Sequence, residues 1–295
     1  MMLQSPTRYL IFFQYIGTKY RGVMKIPLHQ PVLGVQNYLE DAVRRLKPVN
    51  EATVFISSRT DTGVHALCNS AHVDIQRREG KDPFKEEELV HALNHHLRPE
   101  EIRVTRARRV GSHFSARYRA VCRTYVYRLA TGVCHHTHAP LTESKLCWHL
   151  RNTELDVGAM REAGTLLLGT RDFSTFRSLS SDAPLKSPVK TLQTAQIQPG
   201  VSFASQHFSG NFQHWDLTFK SRSFLYRQVR RMAGALVAVG QGKLRLSDIQ
   251  DLLEARDSLA FPTNLMAPPH GLFLTQVEYQ ESDLTEGWPL ASGGD

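Results

Sequence analysis

One short run in the 295-residue chain carries groups at a spacing that suits chemistry: Ser57-Ser58-Arg59-Thr60-Asp61-Thr62-Gly63-Val64-His65-Ala66. Its one carboxylate, Asp61, lies two residues from its one guanidinium, Arg59. A carboxylate beside an arginine stays ionised and oriented, which suits nucleophilic attack or stabilisation of developing positive charge. Gly63 permits a tight turn and a close approach to a ligand. The preceding residues, Thr53-Val54-Phe55-Ile56, are β-prone. The run therefore reads as a loop leaving a strand end, a rigid mount for reactive groups. The same residue types also suit a purely structural turn, with Thr60 and Asp61 bonded to local backbone and Arg59 in solvent.

Charge points to the class of partner. Lysine and arginine exceed aspartate and glutamate to give a net +8, which favours a polyanion. Between Leu217 and Ser247 there is no acidic residue, while Lys220, Arg222, Arg227, Arg230, Arg231, Lys243 and Arg245 are all present. A second acid-free stretch, Ala116 to Ala130, interleaves Arg117, Arg119, Arg123 and Arg128 with Tyr118, Tyr125 and Tyr127. Arginine for phosphates and aromatic rings for unstacked bases is the chemistry of RNA binding, with a pair of solvated faces as the alternative.

The apolar fraction of 41% and the charged fraction of 22% are those of a soluble globular protein. No apolar run approaches the ~20 residues that span a bilayer, so no membrane association is expected. Cys68, Cys122, Cys134 and Cys147 form no Cys-x-x-Cys pair and read as thiols of a reducing compartment. His135-His136-x-His138 has a metal-like look but no acidic or cysteine partner at ligand spacing, so neither metal nor cofactor is expected. The N-terminus is basic and free of acids until Glu40, as in a mitochondrial presequence, although Tyr9–Tyr15 already reads as a strand of the fold. A mitochondrial address is the expectation, with a cytoplasmic or nuclear one as the alternative.

These groups need elements to position them. Tyr9–Tyr15 is aromatic and β-branched, hence a strand. Val35, Tyr38, Leu39, Ala42, Val43 and Leu46 form one apolar helix face. Strands follow at Thr53–Ser57 and Ala71–Gln76, then a helix over Phe84–Leu97 with acids in its first turns, then a strand at Ile102–Val110. The second half repeats this β-α-β-β-α-β order. It has strands at Arg123–Ala130, Thr191–Gln198, His214–Ser221 and Leu272–Tyr279, and helices at Leu155–Leu168 and Phe224–Val239. A further helix begins at Ser247, with Gln250 completing a capping box. The fold class is therefore α+β, built of two ferredoxin-like halves. The expected division is residues 1–112, 113–280 and a small, polar, disordered tail at 281–295. Leu179–Ser187, rich in serine and proline, is expected to be a mobile loop.

Ser57–Ala66 resembles the catalytic loop of the TruA family of pseudouridine synthases, and further segments resemble that family in its order. Phe114-Ser115-Ala116-Arg117 with Arg123-Thr124-Tyr125-Val126-Tyr127 is similar to its F-x-A-R…R-x-Y-x-Y block. Asp172–Phe176 is similar to its D-F-x-x-F turn, Phe224–Met232 to F-L-Y-x-x-V-R-N-I, and Ala267–Leu272 to A-P-x-x-G-L. Together these span residues 55 to 279, and the fit is closest to the eukaryotic branch.

The resemblance implies two halves whose sheets join around a central RNA-binding cleft, with the join near Val110–Arg119. It implies isomerisation of uridine to pseudouridine in tRNA or another structured RNA, without cofactor or metal, by a protein that can be a homodimer. Asp61 would be the nucleophile, and Tyr125 would stack on the extruded uracil. Arg59 and Arg230 would bind substrate in the same pocket, Arg230 pairing with the Asp61 carboxylate. Glycosidic cleavage builds positive charge on the sugar, which a carboxylate captures or stabilises, and an aromatic face offsets part of the unstacking cost. Some positions depart from the family pattern. Ser57-Ser58 replaces small-Gly, Arg231 replaces Asn, Ile16 replaces Asp, and Val23-Met24 replaces Trp-Gln. A non-catalytic RNA-binding protein would gain nothing from Asp61 when binding phosphates. A tandem RNA-recognition module would need an aromatic-rich motif that no strand carries. A small-molecule enzyme would call for a glycine-rich phosphate loop or a metal cluster, and neither is present.

Overall fold

The first strand, β1 (Thr7–Tyr15), is buried without interruption from Tyr9 to Phe13. Both of its faces are therefore covered, and the alternation of a half-exposed strand is absent. This is a computed structural model of the chain and describes residues 5–133, 140–151, 154–179, 187–202 and 212–285. Helix α1 (Val35–Arg45) follows, then β2 (Val54–Ile56), β3 (His65–Ile75), α2 (Glu86–His96) and β4 (Ile102–Val110). The three glutamates Glu86, Glu87 and Glu88 occupy the first turn of α2, where the helix dipole favours negative charge. The strands lie in the order β4-β1-β3-β2, each neighbour antiparallel, which is the ferredoxin-like arrangement expected from the β-α-β-β-α-β order.

The second half opens with β5 (Cys122–Val133) and a short parallel partner, β6 (Trp148–Arg151). Helix α3 (Val157–Leu166) is capped by Asp156, whose Oδ1 accepts the Ala159 N–H at 2.9 Å. Next come β7 (Gly169–Asp172), β8 (Val189–Pro199) and β9 (Gln213–Ser221), in the antiparallel order β5-β9-β8-β7. Helices α4 (Gln228–Gly240) and α5 (Leu246–Ala255), strand β10 (Leu272–Glu278) and helix α6 (Glu281–Thr285) complete the described chain. The protein is α+β. The strands β6 and β7, four residues each, carry too little period to be read from sequence.

Several boundaries differ from the sequence expectations. Helix α4 starts at Gln228 rather than Phe224, because Arg227 takes a left-handed φ of 59° and the Gln228 side chain accepts the Leu225 N–H at 2.8 Å. The cap of α5 is formed by Asp248, which accepts the Arg245 N–H at 2.8 Å, rather than by Ser247 and Gln250.

The units also divide elsewhere than at 112/113. One comprises Met1–Val121 with Leu274–Asp295, the other Cys122–Phe273. The first unit claims the 113–121 loop because Phe114 and Ala116 are buried in a cluster with Leu10, Phe12 and Leu284. The Tyr279 hydroxyl donates to the Ala116 carbonyl at 2.6 Å, and the Val121 N–H to the Glu278 carbonyl at 2.9 Å. Where a disordered tail was expected from residue 281, α6 buries Leu284 and pairs Asp283 with Arg119 at 2.9 Å. The remainder of that tail, residues 286–295, lies outside the described residues, as do Cys134, His135, His136, His138 and most of the 179–187 segment. No helix among the described residues is long and apolar enough to cross a membrane. The described cysteines Cys68, Cys122 and Cys147 are thiols rather than disulfides, and burial pushes that of Cys147 up to about 12.

Candidate active site

The Asp61 loop joins two antiparallel strands. The structure shortens it to Ser57–Val64, because His65 and Ala66 already belong to β3, which extends well ahead of the expected Ala71. Gly63 takes a φ of 77°, and the Val64 N–H closes the turn on the Asp61 carbonyl at 3.1 Å. Thr60 is buried, with a half-buried Asp61 and an exposed Arg59 on either side of it. Thr60 is not bonded as in a self-contained turn. Its Oγ1 meets the hydroxyl of Tyr15 at 2.7 Å, forty-five residues away in sequence.

The loop is held from behind along its whole length. The Ser57 N–H donates to the Ser70 carbonyl at 2.9 Å, and Asn69 Nδ2 donates to the Ser58 carbonyl at 2.9 Å. The Val23 N–H donates to the Thr60 carbonyl at 3.3 Å, and the Gly17 N–H to Nδ1 of the buried His65 at 3.0 Å. His65 thus serves the loop through an accepting nitrogen. Gly17 sits so close that an added Cβ would overlap the Val64 carbonyl. The segment from Tyr15 to Met24 is therefore the back wall of the loop. Because Gly17 and Val23 act through their main-chain N–H groups, the absence of the family's Asp at Ile16 and of Trp-Gln at Val23-Met24 leaves these supports intact. The glycines at 17 and 22 were the sequence signal for this close approach.

The other sequence-selected side chains lie in the second unit. Tyr125, on β5, is 7% exposed, and its ring meets that of Phe224 edge to face with centroids 5.2 Å apart. Arg230, in the first turn of α4, is also 7% exposed. Its Nε donates to the Ala267 carbonyl at 2.9 Å, while the Ala267 N–H donates to the Arg230 carbonyl at 3.1 Å. Tyr127 is fully buried, with its hydroxyl on the Pro268 carbonyl at 2.7 Å. Arg231 Nη1 donates to the carbonyls of Thr175 and Arg177 at 2.8 Å and of Ser258 at 3.0 Å, and its guanidinium lies 4.7 Å from the Phe261 ring centroid. Four segments singled out in the sequence, around Tyr125, Phe173, Phe224 and Ala267, are thus brought into one packed group. Arg231, the departure from Asn, is the hub that ties the Asp172–Phe176 turn to α4.

Several cations of both basic stretches are bonded within the chain. Arg119 pairs with Asp283, Arg123 Nη1 donates to the Arg222 carbonyl at 2.7 Å, and Arg128 pairs with Glu143 at 2.9 Å. Arg230, Arg231 and Arg245 are likewise bonded within the chain. In the Ala116–Ala130 stretch Tyr118 is exposed, whereas Tyr125 and Tyr127 are buried. Sequence alone does not separate a cation that faces solvent from one that ties loops together. Among the described residues no cluster of three or more histidine, cysteine or acidic side chains is placed to hold a metal.

The family model for tRNA pseudouridine synthases matches residues 11–119 and 163–280, and the chain belongs to this family of isomerases, TruA-type. It is 56% identical to the tRNA pseudouridine synthase-like 1 of Xenopus laevis over 284 residues, covering 96% of this chain and 95% of the relative. To the human protein of the same name it is 50% identical, covering 92% and 90%. To the tRNA pseudouridine synthase A of Dinoroseobacter shibae it is 39% identical, covering 93% and 97%.

Proposed function

We infer that the protein isomerises uridine to pseudouridine in tRNA with Asp61 as the nucleophile. The observation that carries this reading is the construction of the loop. Its main chain is pinned at Ser57, Ser58 and Thr60, and the side chain of His65 just beyond it accepts the Gly17 N–H, while Asp61 is kept half-buried rather than absorbed into the core. A carboxylate on a rigid mount is placed for attack, since little reorganisation remains at the moment of reaction.

In the proposed reaction the N1–C1′ bond of the target uridine breaks, with the Asp61 carboxylate capturing or stabilising the positive charge that develops. The detached base turns and a C5–C1′ bond forms. The proton on C5 is lost and N1 gains one, so the atoms balance without oxidant or cofactor. Tyr125 supplies the ring against which the unstacked base rests, a contact worth about 1–3 kcal/mol. Arg59 and Arg230 supply positive charge to the anionic substrate and nucleophile. The relatives' names, tRNA pseudouridine synthase-like 1 and tRNA pseudouridine synthase A, support tRNA as the substrate. A mitochondrial site of action and a homodimer belong to the same proposal. Cell fractionation and light scattering test them.

The decisive experiment measures tritium released from tRNA labelled at C5 of uridine. Wild-type protein is expected to release it, and Asp61→Ala to release it at least about 10⁴-fold more slowly with tRNA binding retained. Release by the Asp61→Ala protein at the wild-type rate removes Asp61 as nucleophile. Tight binding without release by wild type makes the protein an RNA-binding relative of the enzymes.

A further inference from the structure

Behind the Asp61 loop, β3 carries a bulge. Phe13 of β1 faces Asn69 and Tyr15 faces Ala66, so Leu67 and Cys68 together stand opposite the single residue Gln14. An extra residue bends a strand and re-aims the side chains beside it. Here the side chain that follows the bulge, Asn69, is fully buried. Its Oδ1 accepts the Ser70 N–H at 2.8 Å, and its Nδ2 reaches the Ser58 carbonyl at 2.9 Å and the Tyr15 hydroxyl at 3.4 Å. Tyr15, 2% exposed, meets Thr60 through its own hydroxyl. A continuous chain of hydrogen bonds thus runs from the β3 backbone through Asn69 to the two residues that precede Asp61 on either side of Arg59.

Loss of one partner from a buried network costs stability, so the catalytic use of the network is read from activity per folded molecule. A satisfied buried network does fix one geometry. Burial pushes the Tyr15 hydroxyl up to about 12, so it remains a neutral phenol at neutral pH. Within this network the Asn69 amide and the Tyr15 hydroxyl end on Ser58 and Thr60.

We propose that Asn69, with Tyr15, is a positioning residue for catalysis: re-aimed by the β3 bulge, it fixes Ser58 and Thr60 so that the Asp61 carboxylate is presented in a single orientation. The proposal rests on the reading of Asp61 as nucleophile. The test is steady-state tritium release from C5-labelled tRNA by Asn69→Ala and Tyr15→Phe, with folded fraction at the assay temperature taken from urea melts. A misplacement of about 1 Å costs on the order of a hundredfold in rate, so Asn69→Ala is expected to lose roughly ten- to a hundredfold in kcat with KM for tRNA little changed. Tyr15→Phe, which removes one oxygen atom, is expected to show the same split with a smaller fall.

A merely structural Asn69 would lower the urea midpoint and leave kcat per folded molecule at the wild-type value, and that result overturns the proposal. Should Asn69→Ala not fold, Tyr15→Phe decides, and wild-type kcat there overturns it equally. Asp61→Ala, measured alongside, separates the two readings. If it is inactive while both other variants keep wild-type kcat, the positioning role alone falls. If it is active, the nucleophile assignment falls.

Discussion

The two units hold their functional side chains differently. In the first, the main chain around Asp61 is tied down by N–H groups of Gly17 and Val23 and by the buried Asn69. In the second, the functional side chains themselves are gripped: Arg230 by the Ala267 carbonyl, Tyr125 by the Phe224 ring. A support made by a backbone N–H tolerates a change of side chain where there is room for one, as at Val23, but not at Gly17, where a Cβ would overlap the Val64 carbonyl. Bonds that include a side chain, as at His65, Asn69 and Arg230, depend on that side chain. The difference accounts for how the Tyr15–Met24 block departs from the family at Ile16, Val23 and Met24 while the loop it backs stays built. It also predicts which substitutions damage each unit.

The largest effect on stability is expected where the main chain itself is approached. Gly17→Ala drives a methyl group into the Val64 carbonyl, which must shift, at a cost of about 3 kcal/mol. A clear fall in the urea midpoint together with lost tritium release checks this. An unaltered midpoint would show that the back wall yields freely and would break the comparison. In the second unit, Arg231→Met strips a donor from the carbonyls of Thr175, Arg177 and Ser258 and is expected to cost on the order of 2–3 kcal/mol. Arg231→Lys, a point donor in place of a planar fork, should recover part of that loss. Full recovery would show that charge alone holds the α4 turn.

The third effect is reversible and lies in the first unit. His72 is held neutral, its pKa lowered to about 4 by burial and then by the nearby Arg8 charge, against a partial opposing effect from Asp74. Its Nδ1 accepts the Ala116 N–H at 3.2 Å, and its ring stacks on Phe55. The unfolded chain binds this proton more readily, near pH 6.5, so its contribution to stability is complete above that pH. It falls away as pH drops toward 4, by up to about 3 kcal/mol. Urea midpoints between pH 7.5 and 4 should show this slope, and His72→Gln should flatten it. An equal slope in the variant would assign the acid sensitivity to other groups. The smallest effect is expected at α6. The Arg119–Asp283 pair is partly exposed on its arginine side, so Asp283→Ala should cost less than about 1 kcal/mol, measured by the same melts. A larger loss would mean that the pair, rather than Leu284, anchors the helix.

The order of strands and helices was legible because long periodic segments announce themselves: the apolar face of α1, the aromatic run of β1, the acids that open α2. Asp61 and Arg59 stood out because a lone carboxylate and a lone guanidinium share one short loop. Strands of four residues, such as β6 and β7, give no such signal. The start of α4 was misplaced because the left-handed Arg227 interrupts an otherwise helical pattern. The arginines were the least legible. A guanidinium that binds carbonyls from three loops and one that faces a polyanion look alike until the loops are folded against it.

What the sequence determined by itself was local: the α+β element order, the excess of positive charge, and the loop that carries the candidate nucleophile. Each follows from neighbours within a few turns or strand residues, where periodicity and turn chemistry operate. What only the tertiary structure decided was long-range. It returned residues 274–285 to the first unit, set the Tyr15–Met24 segment against the Asp61 loop, and bulged β3 to bring Asn69 to Ser58 and Tyr15. These arrangements depend on burial and on hydrogen bonds between groups tens of residues apart. No local pattern encodes such pairings, because each partner's geometry exists only once the other has been placed.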